Sequence, residues 1–313
     1  MKKVIFALAA VVALAACSKE QTIVADRGDA IGFGTPFVEN STRVDYSTAG
    51  TLTKFNVYGT VTGTAGTVNI YNGVEVTKTQ QNSTDIGGTD SWWYAAGEAQ
   101  YWIPKASYNF AAVVDATVGT NDTAYGMPVT LTTQADDAMN LKDMLYATAT
   151  ATVNAEGTPS ANPVNFNFAH LLSKVKFTVT SNAMGGYKHT VTGIKVSNFE
   201  TGTYTIADGT WAGGTAEDVA FAQIENVTYT TGAQSNAEML LVPNAASFNV
   251  TFTVDLYKGD TKLGTETITK AVDADLVKGN SYNFTIACSV GNPIKFGVTN
   301  DPSWGDTTDV TIQ

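Results

Sequence analysis

Two cysteines, two histidines and scattered carboxylates are the side chains here that could do chemistry. Cys288 closes the alternating run Tyr282-Asn283-Phe284-Thr285-Ile286-Ala287-Cys288. A thiol nucleophile needs a nearby base, and neither histidine is close in sequence, so Cys288 reads as a small buried residue. His170, between Phe168 and Leu172, reads as a packed histidine that holds its strand by hydrogen bonding. His189 follows Tyr187-Lys188 in a loop-like stretch and reads as surface. The carboxylate pairs are Asp136/Asp137, Asp273/Asp275 and Asp306/Asp309. Calcium takes about 6–8 oxygens, and no EF-hand spacing is present, so these read as solvated turns. Two Cys and two His are also too few for a His/Cys metal cage. Gly185-Gly186 and Gly213-Gly214 lack the strand–helix context of a phosphate loop. No nucleophile–base pair stands out, so no catalytic residue, cofactor or metal is expected, and the chain reads as a non-enzyme. A net charge of −11 offers no basic surface to neutralise phosphates, which excludes a nucleic-acid partner.

The remaining cysteine is a different matter. Lys2 and Lys3 precede the apolar run Val4 to Ala16, which is too short to span a ~30 Å hydrocarbon core as a helix. Leu14-Ala15-Ala16-Cys17 then leads into polar Ser18-Lys19-Glu20. The order of charged, apolar and small residues before a cysteine resembles a bacterial lipoprotein signal. The expectation is a signal peptide at 1–16 and an acylated Cys17 that tethers the chain to the outer membrane through its lipid.

Positioning such a chain falls to β-structure. Thr, Val, Tyr and Phe recur with apolar–polar alternation at period two. Strands are expected at Phe55–Tyr58, Val68–Tyr71, Tyr108–Val114, Val175–Val179, Ile194–Val196, Thr203–Ile206 and Phe248–Leu256. Asn72-Gly73 reads as a hairpin turn with Val74 to Thr77 as the return strand. Asp208-Gly209, Lys258-Gly259-Asp260 and Lys278-Gly279-Asn280 read as further turns. Only Asp136 to Leu145 reads as helical. Many short strands between turns indicate an all-β chain of antiparallel sandwiches. With 313 residues and about 150 per domain, two domains are expected. The polar Pro/Gly stretch Asn154 to Pro163 divides them, giving domains at 17–160 and 161–313; no short-period repeat is visible.

Several segments resemble one family in order and spacing. Phe166-Asn167-Phe168-Ala169-His170-Leu171-Leu172-Ser173-Lys174-Val175-Lys176-Phe177 is similar to a characteristic segment of the fimbrillin family, the type V pilus subunits and related surface lipoproteins of Bacteroidetes-type bacteria. Ala30-Ile31-Gly32-Phe33 resembles its first strand. Asp143-Met144-Leu145-Tyr146-Ala147, Gly279-Asn280-Ser281-Tyr282-Asn283-Phe284, and Pro293-Ile294-Lys295-Phe296 with Trp304 resemble further parts of it. The resemblance implies two transthyretin-like β-sandwich domains. It also implies lipoprotein export, a cut after an arginine that removes the first strand, and filling of the open groove by a strand of the next subunit. Such donation would repair unpaired backbone groups and an exposed apolar stripe together. A head-to-tail contact that does not close on itself builds a filament.

The arginines fit that route. The 18 basic residues include two arginines, Arg27 and Arg43, both near the start. A cut after Arg43 would remove the Ile31–Phe33 strand; a cut after Arg27, the alternative, would remove only the tether. At the other end Val310 and Ile312 alternate in Asp309-Val310-Thr311-Ile312-Gln313. They read either as a donor strand or as the last strand of their own sandwich.

Ser91-Trp92-Trp93-Tyr94 with Tyr101-Trp102 is the densest aromatic cluster, and flat aromatics stack on sugars. Two functions therefore stand. The first is a fimbrial subunit, a lipoprotein precursor that joins other subunits in a cell-surface fimbrium and mediates adhesion. The second is an unpolymerised surface lipoprotein that binds glycan or host protein through Trp92, Trp93 and Tyr94.

Overall fold

The structure is a computed structural model. It describes residues 29–38, 52–78, 84–87, 92–134, 141–221, 227–229, 234–291, 294–301 and 308–310; of these, 227–229, 234–237, 298–301 and 308–310 are described by backbone alone. Within them the chain is almost all β. The one helical turn is a three-residue 3-10 turn at Ala96–Glu98. The expected helix over 136–145 is absent where it is described: 141–144 is irregular and Leu145 opens the strand Leu145–Thr152, which the pairing to Ser107–Val114 holds extended.

The first sheet has eight strands in the order Phe37–Val38, Asn167–His170, Leu145–Thr152, Ser107–Val114, Lys54–Gly63, Gly66–Lys78, Trp92–Ala95 and Asp85–Gly87. It curls far enough that Phe33, beside one edge, packs on Tyr94 near the other, with ring centroids 5.8 Å apart. The core inside is rich in aromatics: Phe33, Phe55, Tyr71, Trp92, Tyr94, Tyr108, Phe110, Phe166 and Phe168 are all buried.

The second half packs two sheets around another core. One sheet orders Gln234–Leu241, Ser173–Asn182, Ser281–Ser289, Lys295–Asp301 and Thr308–Val310. The other orders Ala216–Ala220, Tyr187–Phe199, Phe248–Lys258 and Thr261–Val272, with Val227–Tyr229 also on Tyr187–Phe199. A fourth sheet joins Thr210–Gly213 and Gly202–Thr205 to Pro128–Thr133 and Ala116–Asn121, strands from both sides of residue 160. Leu171, Leu172, Tyr204, Leu240 and Val242 meet Tyr58, Ala111, Val113 and Leu131 in a third apolar cluster. Two strand pairs run parallel, Phe37–Val38 on Asn167–His170 and Ser173–Asn182 on Ser281–Ser289; the others are antiparallel.

The expected hairpin turn at Asn72-Gly73 is a bulge. The strand Gly66–Lys78 runs straight through it, and its pairing with Lys54–Gly63 shifts register there. Gly73 takes φ +73, a left-handed conformation that suits glycine in a bulge as well as in a turn. The other three turn readings fall between or before strands, as expected. His189, expected at the surface, is buried at 4% exposure on Tyr187–Phe199. Its Nδ1 lies 2.9 Å from Ser181 Oγ, and burial lowers its pKa below the usual 6.5. His170 is packed as read, with Nδ1 2.9 Å from Asp143 Oδ1. Cys288 is buried, and burial pushes its thiol up to about 11, which removes it as a nucleophile near neutral pH.

Candidate functional site: the slot held by residues 29–38

Residues 29–38 lie lengthwise between two backbones. On one side Ala30 bridges Tyr101 in antiparallel fashion; Ile31 N–H donates to Gln100 O at 2.9 Å and Trp102 N–H to Asp29 O at 3.4 Å. On the other side the pairing is parallel. Gly34 N–H donates to Val164 O at 3.0 Å, Val164 N–H to Gly32 O at 2.8 Å, and Phe37 N–H to Phe166 O at 2.9 Å. Two side chains add to this: Gly32 N–H donates to Asn162 Oδ1 at 3.2 Å, and Tyr94 Oη donates to Ile31 O at 2.6 Å.

The alternation of Ile31 and Phe33 sends both inward, and neither keeps any exposure. Phe33 is the hub of the first core. It stacks on Phe166 at 5.8 Å and meets Phe55, Tyr71, Tyr94 and Phe110 edge-on at 6.3, 5.6, 5.8 and 6.1 Å. Each such buried side chain contributes roughly 1.5–3 kcal/mol relative to an exposed one. Without this segment the slot would present the carbonyls of Gln100, Val164 and Phe166, the N–H groups of Trp102 and Val164, and an aromatic floor. That is a strand acceptor in chemical terms, with backbone groups for affinity and a pocket for alternate side chains.

The remaining sequence candidates are placed as follows. Cys17, Arg27, Arg43 and Ile312 lie outside the described residues. Val310 ends the three-residue strand Thr308–Val310 and is paired with Val298 at the edge of its own sheet. Trp92 and Tyr94 are core residues at 1% and 2% exposure. Trp93 points to the opposite face of the same strand and is half-buried. Tyr94 therefore serves the slot directly, through its bond to Ile31.

The sequence carries one further signal of the slot. Ser107-Tyr108-Asn109-Phe110 and Ser281-Tyr282-Asn283-Phe284 are identical tetrapeptides, and each opens a central strand. Each tyrosine hydroxyl turns back to the backbone just upstream, and the first of these backbones is one wall of the slot.

Comparison with solved structures places the fold. A fimbrial protein from Bacteroides vulgatus ATCC 8482 superposes with a TM-score of 0.58 at 16% identity, covering 88% of this chain and 99% of that one. A cell adhesion candidate from Bacteroides uniformis ATCC 8492 gives 0.53 at 18% identity, with 91% and 100% covered. One from Bacteroides ovatus ATCC 8483 gives 0.53 at 14%, with 91% and 99% covered. No curated protein matches the sequence. The fimbrillin-like family model matches residues 42–302, most of the chain and every strand described above except the first and the last. The chain belongs to the fimbrillin-like family.

Proposed function

We propose that this protein is a structural subunit of a surface fimbrium, without enzymatic activity, that mediates adhesion once polymerised. In this reading it is exported as a lipoprotein anchored in the outer membrane through Cys17. A cut after Arg43 then frees residues 29–38, and the emptied slot takes a strand from a neighbouring subunit. The observation that carries the reading is the slot itself, whose occupant joins the rest of the chain through 39–51, the stretch that holds Arg43.

The donor is the C-terminal segment. Val310 and Ile312 stand two residues apart, as Ile31 and Phe33 do, so one extended segment can replace the other with apolar side chains on the same face. The three-residue strand Thr308–Val310 at a sheet edge is little to detach. The unit at 17–160 then accepts, with residues 162–168 lining the slot, and the unit at 161–313 donates. Other copies or related subunits are the partners.

The test is digestion of the chain from Ser18 onward with an Arg-specific protease, followed by intact mass and unheated electrophoresis. The expected result is a cut at Arg43 and a ladder of stable multimers, absent from Arg43→Ala and from a chain lacking 309–313 that still folds. A ladder from Arg43→Ala, or no cut at Arg43 in the folded chain, rejects the reading; complete cutting at Arg43 with no ladder rejects self-polymerisation and leaves a related subunit as the donor.

A further inference from the structure

The outer face of the edge strands near Trp93 carries a second feature, apart from the slot. The cross-strand register puts Thr77 opposite Trp93 and Gly87 opposite Trp93 on its other side, with Asp85 opposite Ala95. The pleat sends Asp85, Gly87, Trp93 and Ala95 to one face, while Trp92 and Tyr94 go to the core. Gly87 has no side chain, and the Trp93 ring fills that place: a Cβ there would lie 1.8 Å from Trp93 Cζ3. The indole is thus laid flat on the strand Asp85–Gly87 and fixed there, an aromatic plate rather than a swinging side chain.

This plate lines a cleft of ≈ 540 Å³ whose rim carries Glu75, Asp85, Glu98, Asn69 and Asn72. Lys54 Nζ lies 3.0 Å from Glu75 Oε2, an exposed ion pair, and Asn69 Nδ2 donates to Tyr125 O. The volume is that of a small-molecule site, ~300–1,000 Å³. Three requirements then narrow the ligand. A flat indole face wants a flat apolar C–H face. Carboxylates accept hydrogen bonds only, and so want donors, while asparagine amides want a donor and an acceptor side by side. An acidic rim repels an anion. A neutral sugar ring meets all three, with C–H bonds on one face and vicinal hydroxyls at its edge. A lone ammonium group would leave the amides and most of the volume unused.

We infer that the cleft at Trp93 binds a neutral saccharide, with the pyranose stacked on the indole and its hydroxyls bonded to Asp85, Glu98 and the asparagines. A fixed plate costs little further ordering on binding. The site lies on the outer face and requires neither cutting nor polymerisation, so its failure and that of the assembly reading are separable.

The experiment titrates the uncut chain from Ser18 onward with oligosaccharides ending in galactose, N-acetylglucosamine, mannose or fucose. The sialylated forms of the same oligosaccharides and an oligolysine peptide are run beside them. At least one neutral oligosaccharide should bind, and its sialylated form should bind more weakly. Trp93→Ala should weaken binding by about tenfold or more, as expected when an aromatic anchor is truncated. Asp85→Asn and Glu98→Gln, which change charge without changing size, should each weaken it with the melting temperature unchanged. Should Trp93→Ala misfold, those two variants decide. No binding by any neutral oligosaccharide, equal binding of the sialylated forms, unaltered affinity in the folded variants, or binding of oligolysine alone overturns the inference.

Discussion

The two Ser-Tyr-Asn-Phe corners do the same job with different neighbours. Tyr108 Oη accepts from Ile103 N–H at 2.7 Å and donates to Tyr101 O at 3.2 Å. Tyr282 Oη accepts from Val277 N–H at 2.8 Å and donates to Asp275 O at 2.6 Å. The sequence offsets are the same, five and seven residues upstream. Each tyrosine pins the backbone that leads into its strand, as tyrosine corners do in other sandwiches. In the second half that backbone pairs with the segment that follows a neighbouring strand: Asn244 and Leu276 exchange bonds at 2.9 and 2.8 Å, three residues past the end of Gln234–Leu241. In the first half the equivalent backbone, Gln100 to Trp102, pairs with Asp29 to Ile31. One occupant is held at both ends by structured chain. The other, residues 29–38, leads into 39–51, the stretch that holds Arg43, where the proposed cut falls. Two like corners thus border two seams that differ in how their occupants continue into the rest of the chain.

The largest effect that could break this comparison comes from the cores. Phe33→Ala and Phe284→Ala each remove a fully buried ring and should each lower stability by about 3–5 kcal/mol in urea unfolding. Hydrogen exchange separates them. Phe33→Ala should release Ile31, Gly34, Phe37 and Val164 selectively, while Phe284→Ala should loosen the second half as a whole. If both variants unfold uniformly, the first strand is not a separable unit.

A smaller effect sharpens the corner itself. Tyr108→Phe and Tyr282→Phe each leave a backbone N–H without its partner, at a cost of about 1–3 kcal/mol. In the proposed assembly, Tyr108→Phe should also speed strand exchange after cutting, because the slot wall loses its pin; Tyr282→Phe should leave that rate unchanged. Equal effects on exchange would mean that the corner sets stability alone.

The smallest effect is a matter of pH and belongs to the second half. His189 titrates below 6.5 in the folded chain because burial disfavours its charge. Between its folded value and the usual 6.5 the unfolded chain binds more protons. Its contribution is therefore complete above pH 6.5 and is lost as pH falls through the folded value. His189→Gln should flatten that part of the dependence of melting temperature on pH. An unchanged slope would show that another group controls it.

The all-β class was legible because period-two alternation in Thr, Val, Tyr and Phe leaves little else possible. Local signals failed where tertiary pairing decided the outcome. Asn72-Gly73 has turn chemistry, yet Lys54–Gly63 pairs with the strand on both sides of it and keeps it extended, and the glycine becomes a bulge. Tyr187-Lys188-His189 looks like a loop, but two neighbouring strands pair with it and turn the imidazole inward. The slot was legible in part. Ile31 and Phe33 alternate visibly, but their partners Gln100, Val164 and Phe166 are distant in sequence, and no local pattern joins them. Trp92, Trp93 and Tyr94 could be split into two faces by the pleat; which face was the core depended on the curl of the whole sheet.

The lengthwise seating of residues 29–38 has a mechanical consequence. Their bonds to Gln100 and Val164 flank the segment from both sides, and the bond to Phe166 continues the same line. A pull along the segment loads these bonds together, in shear, whereas a pull across it would peel them one at a time. In the proposed polymer a donated strand seated in the same way would inherit this loading, and tension along the chain of joints would be shared by every bond in the seam before the first one broke.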